Sequence, residues 1–225
     1  MDSKLAIVID FDSTIVSVES LEVLANISLK NNPQKNQILN QISDYTNLAM
    51  NGHITFEESL NMRFDLMKIN SDDIKKTITE IKSKIDRSFL NNINFFEQNI
   101  ENVYIISGGF KTIIQSTIGS ISKLNWNIYA NEFLFNKNNH IIGINKDNPL
   151  AFSKGKVEII KKLNLDCDVI IVGDGYTDYE VKKFHAAKYF LAYTAHINRE
   201  NVSANADLIC KNFNEVIDFI NKKAF

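Results

Sequence analysis

Two cysteines, Cys167 and Cys210, are all that the 225 residues contain. They cannot build a disulfide framework and lack C-x-x-C spacing, so both are expected to be buried or semi-buried thiols in a reducing compartment. Long apolar runs are missing too. Met-Asp-Ser-Lys is followed by only five apolar residues, Leu5–Ile9, before Asp10, too few for a signal-peptide core or a membrane span, and a cytoplasmic protein is expected. Neither sign of charge dominates. The formal net charge is −2 and the basic residues are dispersed, which leaves no electrostatic footprint for nucleic acid or an anionic membrane. A small molecule is the expected partner, and the chain is expected to be a monomer or homodimer. With 44% hydrophobic and 23% charged residues, neither disorder nor a fibrous repeat is indicated. The length suits one generous domain, or a core domain with a smaller insertion.

Strand-like segments are short and widely spaced. Leu5–Ile9, 102–106, 169–172 and 189–191 read as parallel strands buried on both faces, with a weaker fifth at Leu208-Ile209. Helical spacing separates them: Phe110, Ile113, Ile114 and Ile118; then Val157, Ile160 and Leu163; then Val216, Phe219 and Ile220. The alternation predicts an α/β fold, a Rossmann-like parallel sheet with helices on both faces. Residues 16–99 break the rhythm with helical stripes alone, among them Phe56, Leu60, Phe64 and Met67, then Ile74, Ile78, Ile81 and Ile85. They read as an inserted helical cap (16–99) on a core of 1–15 and 100–225, placed to act as a lid. Ser71-Asp72-Asp73 offers an N-cap and acidic first turn to the Ile74 helix. Residues 127–145, with Asn136–Asn139 between apolar runs, suggest a hairpin at the sheet edge.

Four segments carry chemistry. Asp10 and Asp12 follow the first strand, at the carboxyl end where open α/β sheets bind ligands. Separated by one residue, the two acids share a side, and a divalent cation or a shared proton relieves their repulsion. An isolated D-x-D pair more often caps a helix. Ser107-Gly108-Gly109 puts a hydroxyl and flexible amides at a strand-to-helix turn, a place suited to anions. Lys154, in Ser153-Lys154-Gly155-Lys156, stands at a helix start where the dipole disfavours a cation, a cost that a phosphate partner explains. Lys156 is expected to be merely solvated. Gly173-Asp174-Gly175-Tyr176-Thr177-Asp178 supplies two more acids after another strand.

Together and in this order, the four segments resemble the motifs of the haloacid dehalogenase superfamily of phosphotransferases, over nearly the whole chain. The resemblance implies Asp10 as nucleophile and Asp12 as acid and base, with Ser107 and Lys154 holding phosphoryl oxygens. It further implies Mg2+ on the carboxylates of Asp10 and Asp174 and the backbone carbonyl of Asp12, with Asp178 orienting Lys154 or a metal-bound water.

Within the superfamily, Asp-Ser-Thr after Phe11, Glu19, Ala49-Met50-Asn51-Gly52, Phe56 and Arg63 resemble the phosphoserine phosphatase subfamily. That resemblance assigns Glu19 to a substrate ammonium and Arg63 to a carboxylate. Met50 and Phe56 become apolar walls, Gly108 an amide donor and Thr177 a contact near the carboxylate. The implied substrate is a small phosphomonoester, O-phospho-L-serine, hydrolysed in serine synthesis. Transfer of the phosphoryl group to another alcohol such as homoserine, or hydrolysis of another small phosphomonoester, remains an alternative at this stage. Tyr176 is bulky for its turn and is expected to narrow the pocket or face solvent.

Overall fold

The computed structural model describes residues 5–137 and 140–224. In chain order it contains β1 (Leu5–Ile9), α1 (Ser20–Ser28), α2 (Lys35–Met50), α3 (Phe56–Asp65), α4 (Ser71–Lys82), α5 (Arg87–Asn91) and α6 (Ile93–Gln98). There follow β2 (Val103–Phe110), α7 (Lys111–Ile118), β3 (Asn127–Asn131), β4 (Phe133–Phe135), β5 (Ile141–Ile144) and α8 (Gly155–Leu163). The chain closes with β6 (Asp168–Gly173), α9 (Tyr176–Lys183), β7 (Tyr189–Tyr193), α10 (Glu200–Ser203), β8 (Leu208–Cys210) and α11 (Phe213–Ala224).

Six strands form one parallel sheet in the order β3-β2-β1-β6-β7-β8. The apolar run that marks β1 places it centrally, between β2 (Ile7 opposite Val103) and β6 (Ile7 opposite Ile170). Its side chains divide by alternation. Leu5, Ile7 and Ile9 join the core on one face, while Ala6 and Val8 join a second core on the other. A strand buried on both faces cannot keep a polar alternation, which is why β1 reads as a continuous apolar run. Each fully buried Ile or Val contributes about 1.5–3 kcal/mol relative to exposure. The ladder runs one residue past β1, where the Asp10 amide donates to the Val172 carbonyl at 2.9 Å. That bond fixes Asp10 beside the end of β6.

Beyond Asp10 a tight turn, Phe11–Ile15, closes with the Val16 amide on the Phe11 carbonyl. The chain leaves for the cap here and returns alongside itself: Val16 pairs antiparallel with Ile85, the Ser17 amide donates to Lys84, and the Asp86 amide donates to Ile15. Helices α1 to α4 lie between, with α2 on α3 and α1 on α4. Two start on capping boxes, Thr55 with Glu58 and Asn70 with Asp73. The cap residue of α4 is therefore Asn70, and Ser71 is the first helical residue. Asn70 holds the amides of both Asp72 and Asp73, which leaves no amide for a Ser71 cap to serve.

The last part of the 16–99 interval packs differently. Phe89 of α5 and Phe96 of α6 stack on each other at 5.1 Å, and both meet Phe213 of α11. The edge region also differs from a single hairpin over 127–145. Asn127–Asn131 is the parallel edge strand β3, and only β4 and β5 form the hairpin, as a separate antiparallel pair. Asn138 and Asn139 of the expected turn lie outside the described residues. Among the described residues no helix is long and apolar enough to cross a membrane.

Candidate active site

Three strand ends meet at one point: Asp10 follows β1, Ser107 lies late in β2, and Asp174 follows β6. The register of β2 against β3 slips between Ile106 and Phe110, so Ser107-Gly108-Gly109 bends out of regular pairing while still inside the strand. Asp10 is buried and held on both oxygens. Its Oδ1 accepts from the Phe11 amide at 2.7 Å and its Oδ2 lies 2.7 Å from Lys156 Nζ. The same Nζ is 2.7 Å from Asp178 Oδ1, which leaves Lys156 a buried cation between two buried acids. Burial acts to lower the Lys156 pKa, but the charges and hydrogen bonds of Asp10 and Asp178 outweigh it and hold the ammonium above the ordinary lysine value. For Asp178, burial is the larger influence. It pushes the carboxyl up to about 7 against the pull of Lys156.

This geometry corrects the assignment of Lys154. Lys154 sits just before α8 in a left-handed conformation (φ 60°, ψ 16°), is exposed, and lays its ammonium over the Phe184 ring at 4.2 Å from the centroid. The reason is helical phase. Lys156 stands four residues before Ile160 and seven before Leu163, on the face that α8 turns inward, whereas Lys154 precedes the helix. That spacing was present in the sequence, and the dipole cost counted for Lys154 applies to Lys156, where Asp10 and Asp178 offset it.

The Asp12 carboxylate turns to the start of α1. It accepts from the Ser20 amide at 3.0 Å and the Ser20 hydroxyl at 2.9 Å. Desolvation under the cap, then the negative charges of Glu19 and Asp10, hold the Asp12 carboxyl well above the usual carboxylate range, with the Ser20 bonds opposing. A carboxyl group raised in this way holds its proton more tightly than an ordinary carboxylate, which suits a proton donor. Ser20, which the sequence reasoning did not select, is thus the anchor of the acid; its position at the first turn of α1 was the available signal.

Cap side chains close the cavity from above. Arg63 is buried, donates to the Ser59 carbonyl and to Thr46 Oγ1, each at 3.2 Å, and lines the cavity with Glu19, Met50, Phe56 and Thr177. Glu19 accepts from Ser13 Oγ at 2.8 Å. Phe56 lies over Gly108, where a β-carbon would meet its ring at 2.5 Å. The remaining volume is about 30 Å³, room for one or two water molecules. A substrate of amino-acid size needs more room than this, which movement of the cap would supply. Tyr176 neither lines that space nor points freely to solvent. Its ring packs on Gly52 in the turn after α2, and its hydroxyl accepts from Lys183 Nζ at 3.0 Å.

Arg199 is the second residue that the sequence reasoning passed over as a site residue. Buried just before α10, its Nε donates to Asp174 Oδ2 at 3.1 Å, its Nη1 to Asn47 of α2 at 3.0 Å, and its Nη2 lies 4.0 Å from Glu19. Even so, Asp174 is held well above the ordinary carboxylate value, first by burial and then by Glu19, with Arg199 opposing. Carboxylate oxygens of Asp10, Asp174 and Asp178 lie within 4.8 Å of one another, all buried. A buried cluster of hard oxygen donors with excess negative charge fits a divalent cation such as Mg2+. The Asp12 carboxylate is turned to Ser20 and is not part of that cluster.

No family model matches the chain. The chloroplastic phosphoserine phosphatase of Arabidopsis thaliana is 29% identical over 216 residues, 95% of this chain and 70% of the relative. That of Campylobacter jejuni subsp. doylei is 29% identical over 222 residues, 95% of this chain and 98% of the relative. Among solved structures, a phosphoserine phosphohydrolase-like protein from Francisella tularensis has 29% identity and a TM-score of 0.86, covering 96% of this chain and all of that one. With the parallel sheet and the acid cluster at its carboxyl edge, these likenesses define the class: the fold and the site resemble those of the haloacid dehalogenase superfamily. Within it, the chain is a phosphoserine phosphatase-like phosphoric monoester hydrolase.

Proposed function

We propose that the chain is a magnesium-dependent phosphatase that hydrolyses O-phospho-L-serine to L-serine and phosphate through a phosphorylated Asp10. The observation that carries this reading is the division of one cavity. Its core side presents Asp10, Ser107, Gly108, Lys156 and Asp174, and its cap side presents one acid and one buried cation, Glu19 and Arg63. Phosphoserine carries an ammonium and a carboxylate besides its phosphate. An arginine fork suits the carboxylate, and Glu19 suits the ammonium.

In the first half-reaction an Asp10 carboxylate oxygen attacks phosphorus and the bond from phosphorus to the seryl oxygen breaks. The leaving alkoxide takes the proton held on Asp12. In the second half, Asp12 accepts a proton from water as the water oxygen attacks phosphorus, and the bond to Asp10 breaks with release of phosphate. Lys156 and the Ser107 hydroxyl hold nonbridging phosphoryl oxygens. Magnesium would be held by the Asp10 and Asp174 carboxylates and the Asp12 carbonyl, and when bound it offsets charge between phosphate and the anionic nucleophile. The closed cap excludes competing water during the first step. The reading places the reaction at the last step of serine synthesis and in the cytoplasm, where Cys167 and Cys210, neither of them in a disulfide, stay reduced.

The test is phosphate release from a panel of small phosphomonoesters, with magnesium or with EDTA. Phosphoserine is expected to be turned over fastest, EDTA to stop the reaction, and Asp10→Asn to lower turnover by at least about 10³-fold. Undiminished release by Asp10→Asn would sink the mechanism, and rapid turnover of other esters with phosphoserine untouched would sink the substrate.

A further inference from the structure

Asn131 is the last residue of β3, wholly buried, and outside the cavity lining. Its Nδ2 donates to two backbone carbonyls that belong to different parts of the site: Gly108 at 2.8 Å and Leu150 at 3.0 Å. Because both neighbours are carbonyl oxygens, the amide can take only one orientation; the NH2 group must face them. Its Oδ1 has no hydrogen-bond partner although it is buried. Such an orphan acceptor costs about 1–3 kcal/mol. An apolar side chain of similar volume would avoid that cost, so the amide is retained for what its two donors hold.

What the first donor holds is a peptide plane. Across a trans peptide the carbonyl of one residue and the N–H of the next point in opposite directions. Fixing the Gly108 carbonyl on Asn131 therefore fixes the Gly109 N–H on the other side. There it donates to Ser107 Oγ at 3.1 Å, and a β-carbon on Gly109 would lie 2.9 Å from Asp12 Oδ2. Two glycines flank this peptide, so no side chain of its own opposes its rotation, and besides the Ser107 bond its orientation depends on Asn131. The second donor holds Leu150 in the turn Pro149–Ala151, and that turn is packed directly against Gly155, the residue that opens α8 and precedes Lys156.

We propose that Asn131 is a positioning residue of the phosphoryl cradle: it locks the Gly108–Gly109 peptide with its N–H toward the transferring phosphoryl group and ties that peptide to the segment that sets Lys156. The inference rests on the phosphatase reading, and its test uses probes of the phosphoryl group alone. Wild type, Asn131→Asp and Asn131→Leu are compared for turnover of p-nitrophenyl phosphate with magnesium, inhibition by orthovanadate, and thermal midpoint. Asp keeps the shape but replaces the donors by a carboxylate, and Leu removes polarity altogether. Both are expected to lower kcat by about 10–100-fold and to weaken orthovanadate inhibition by a similar factor, with KM nearly unchanged, as for loss of an oriented oxyanion donor. Joined to Ser107→Ala, the Asn131→Leu loss is expected to be less than multiplicative, since both act through Gly109. Orthovanadate inhibition within about twofold of wild type would overturn the proposal, and so would failure of both variants to fold, which would assign Asn131 to stability alone. If wild type cleaves p-nitrophenyl phosphate but not phosphoserine, the substrate reading fails while this inference stands.

Discussion

The two walls of the cavity are built on different physical terms. On the core wall, Asp10, Asp174 and Asp178 crowd around Lys156 and Arg199, every one of them buried and each fixed by a strand end or the first turn of a helix. On the cap wall, Arg63 hangs from a helix by single bonds to Ser59 and Thr46. Near it, Glu22 is raised above its ordinary value by burial and by Glu19, and relieved by Thr46, Arg63 and Ser43. The core wall concentrates three acids against two cations, an excess of negative charge that a divalent cation can balance, on residues anchored at the sheet's edge. The cap wall carries few charges on helices with their own local caps, joined to the sheet layer through Val16 and Ile85. Chemistry that needs atoms held within fractions of an ångström belongs on the first, and selection of the rest of a substrate belongs on the second, which must open to admit it.

The sharpest way to break this comparison is at the lysine pair. Lys156→Met leaves Asp10 and Asp178 buried without their cation and is expected to lower kcat by about 10²–10³-fold and stability by about 3–5 kcal/mol. Lys154→Met is expected to stay within about threefold of wild type, as befits an exposed side chain resting on a ring. Steady-state kinetics with urea unfolding decides between them, and a larger loss at Lys154 would return the phosphate contact to that residue.

Arg63→Met probes the cap wall. It is expected to raise KM for phosphoserine by about 10–100-fold with a smaller change in kcat, and to leave phosphoethanolamine, which lacks the carboxylate, almost unaffected. Equal losses for both esters would show that Arg63 supports the cap rather than reads the substrate.

The smallest effect is expected where the walls join. Burial raises the Asp86 carboxyl, but His196, Ser88 and the Phe89 amide outweigh it and hold the group below the ordinary carboxylate range. A depressed carboxylate contributes stability that is complete above its unfolded value and is lost as pH falls through its folded one. Asp86→Asn is thus expected to cost about 1–2 kcal/mol at pH 7, a difference that shrinks as the pH falls below about 4. A pH-independent difference in urea unfolding would show that the lost group is packing, not charge.

Much was legible in the chain itself. Residues Leu5–Ile9, followed by Asp10 and Asp12, read as a strand buried on both faces with acids at its carboxyl end, because a short continuous apolar run rich in Ile and Val suits that place in an alternating α/β pattern. The helical stripes between Phe56 and Ile85 announced a helical insertion for the same local reason. What the sequence left open were choices between neighbours of equal chemistry. Lys154 and Lys156 differ only in helical phase, and the residue at which α8 begins is set by Gly155 packing against Pro149 and Leu150, segments from another part of the fold. Arg199 and Asn131 act on partners 25 and 23 residues away, and no local pattern marks such pairings. Local periodicity and spacing thus determined the sheet, the insertion and the acids at its edge. Which cation meets those acids, and which peptide plane faces them, was decided only by tertiary packing, because those bonds depend on the relative placement of elements rather than on the pattern within any one of them.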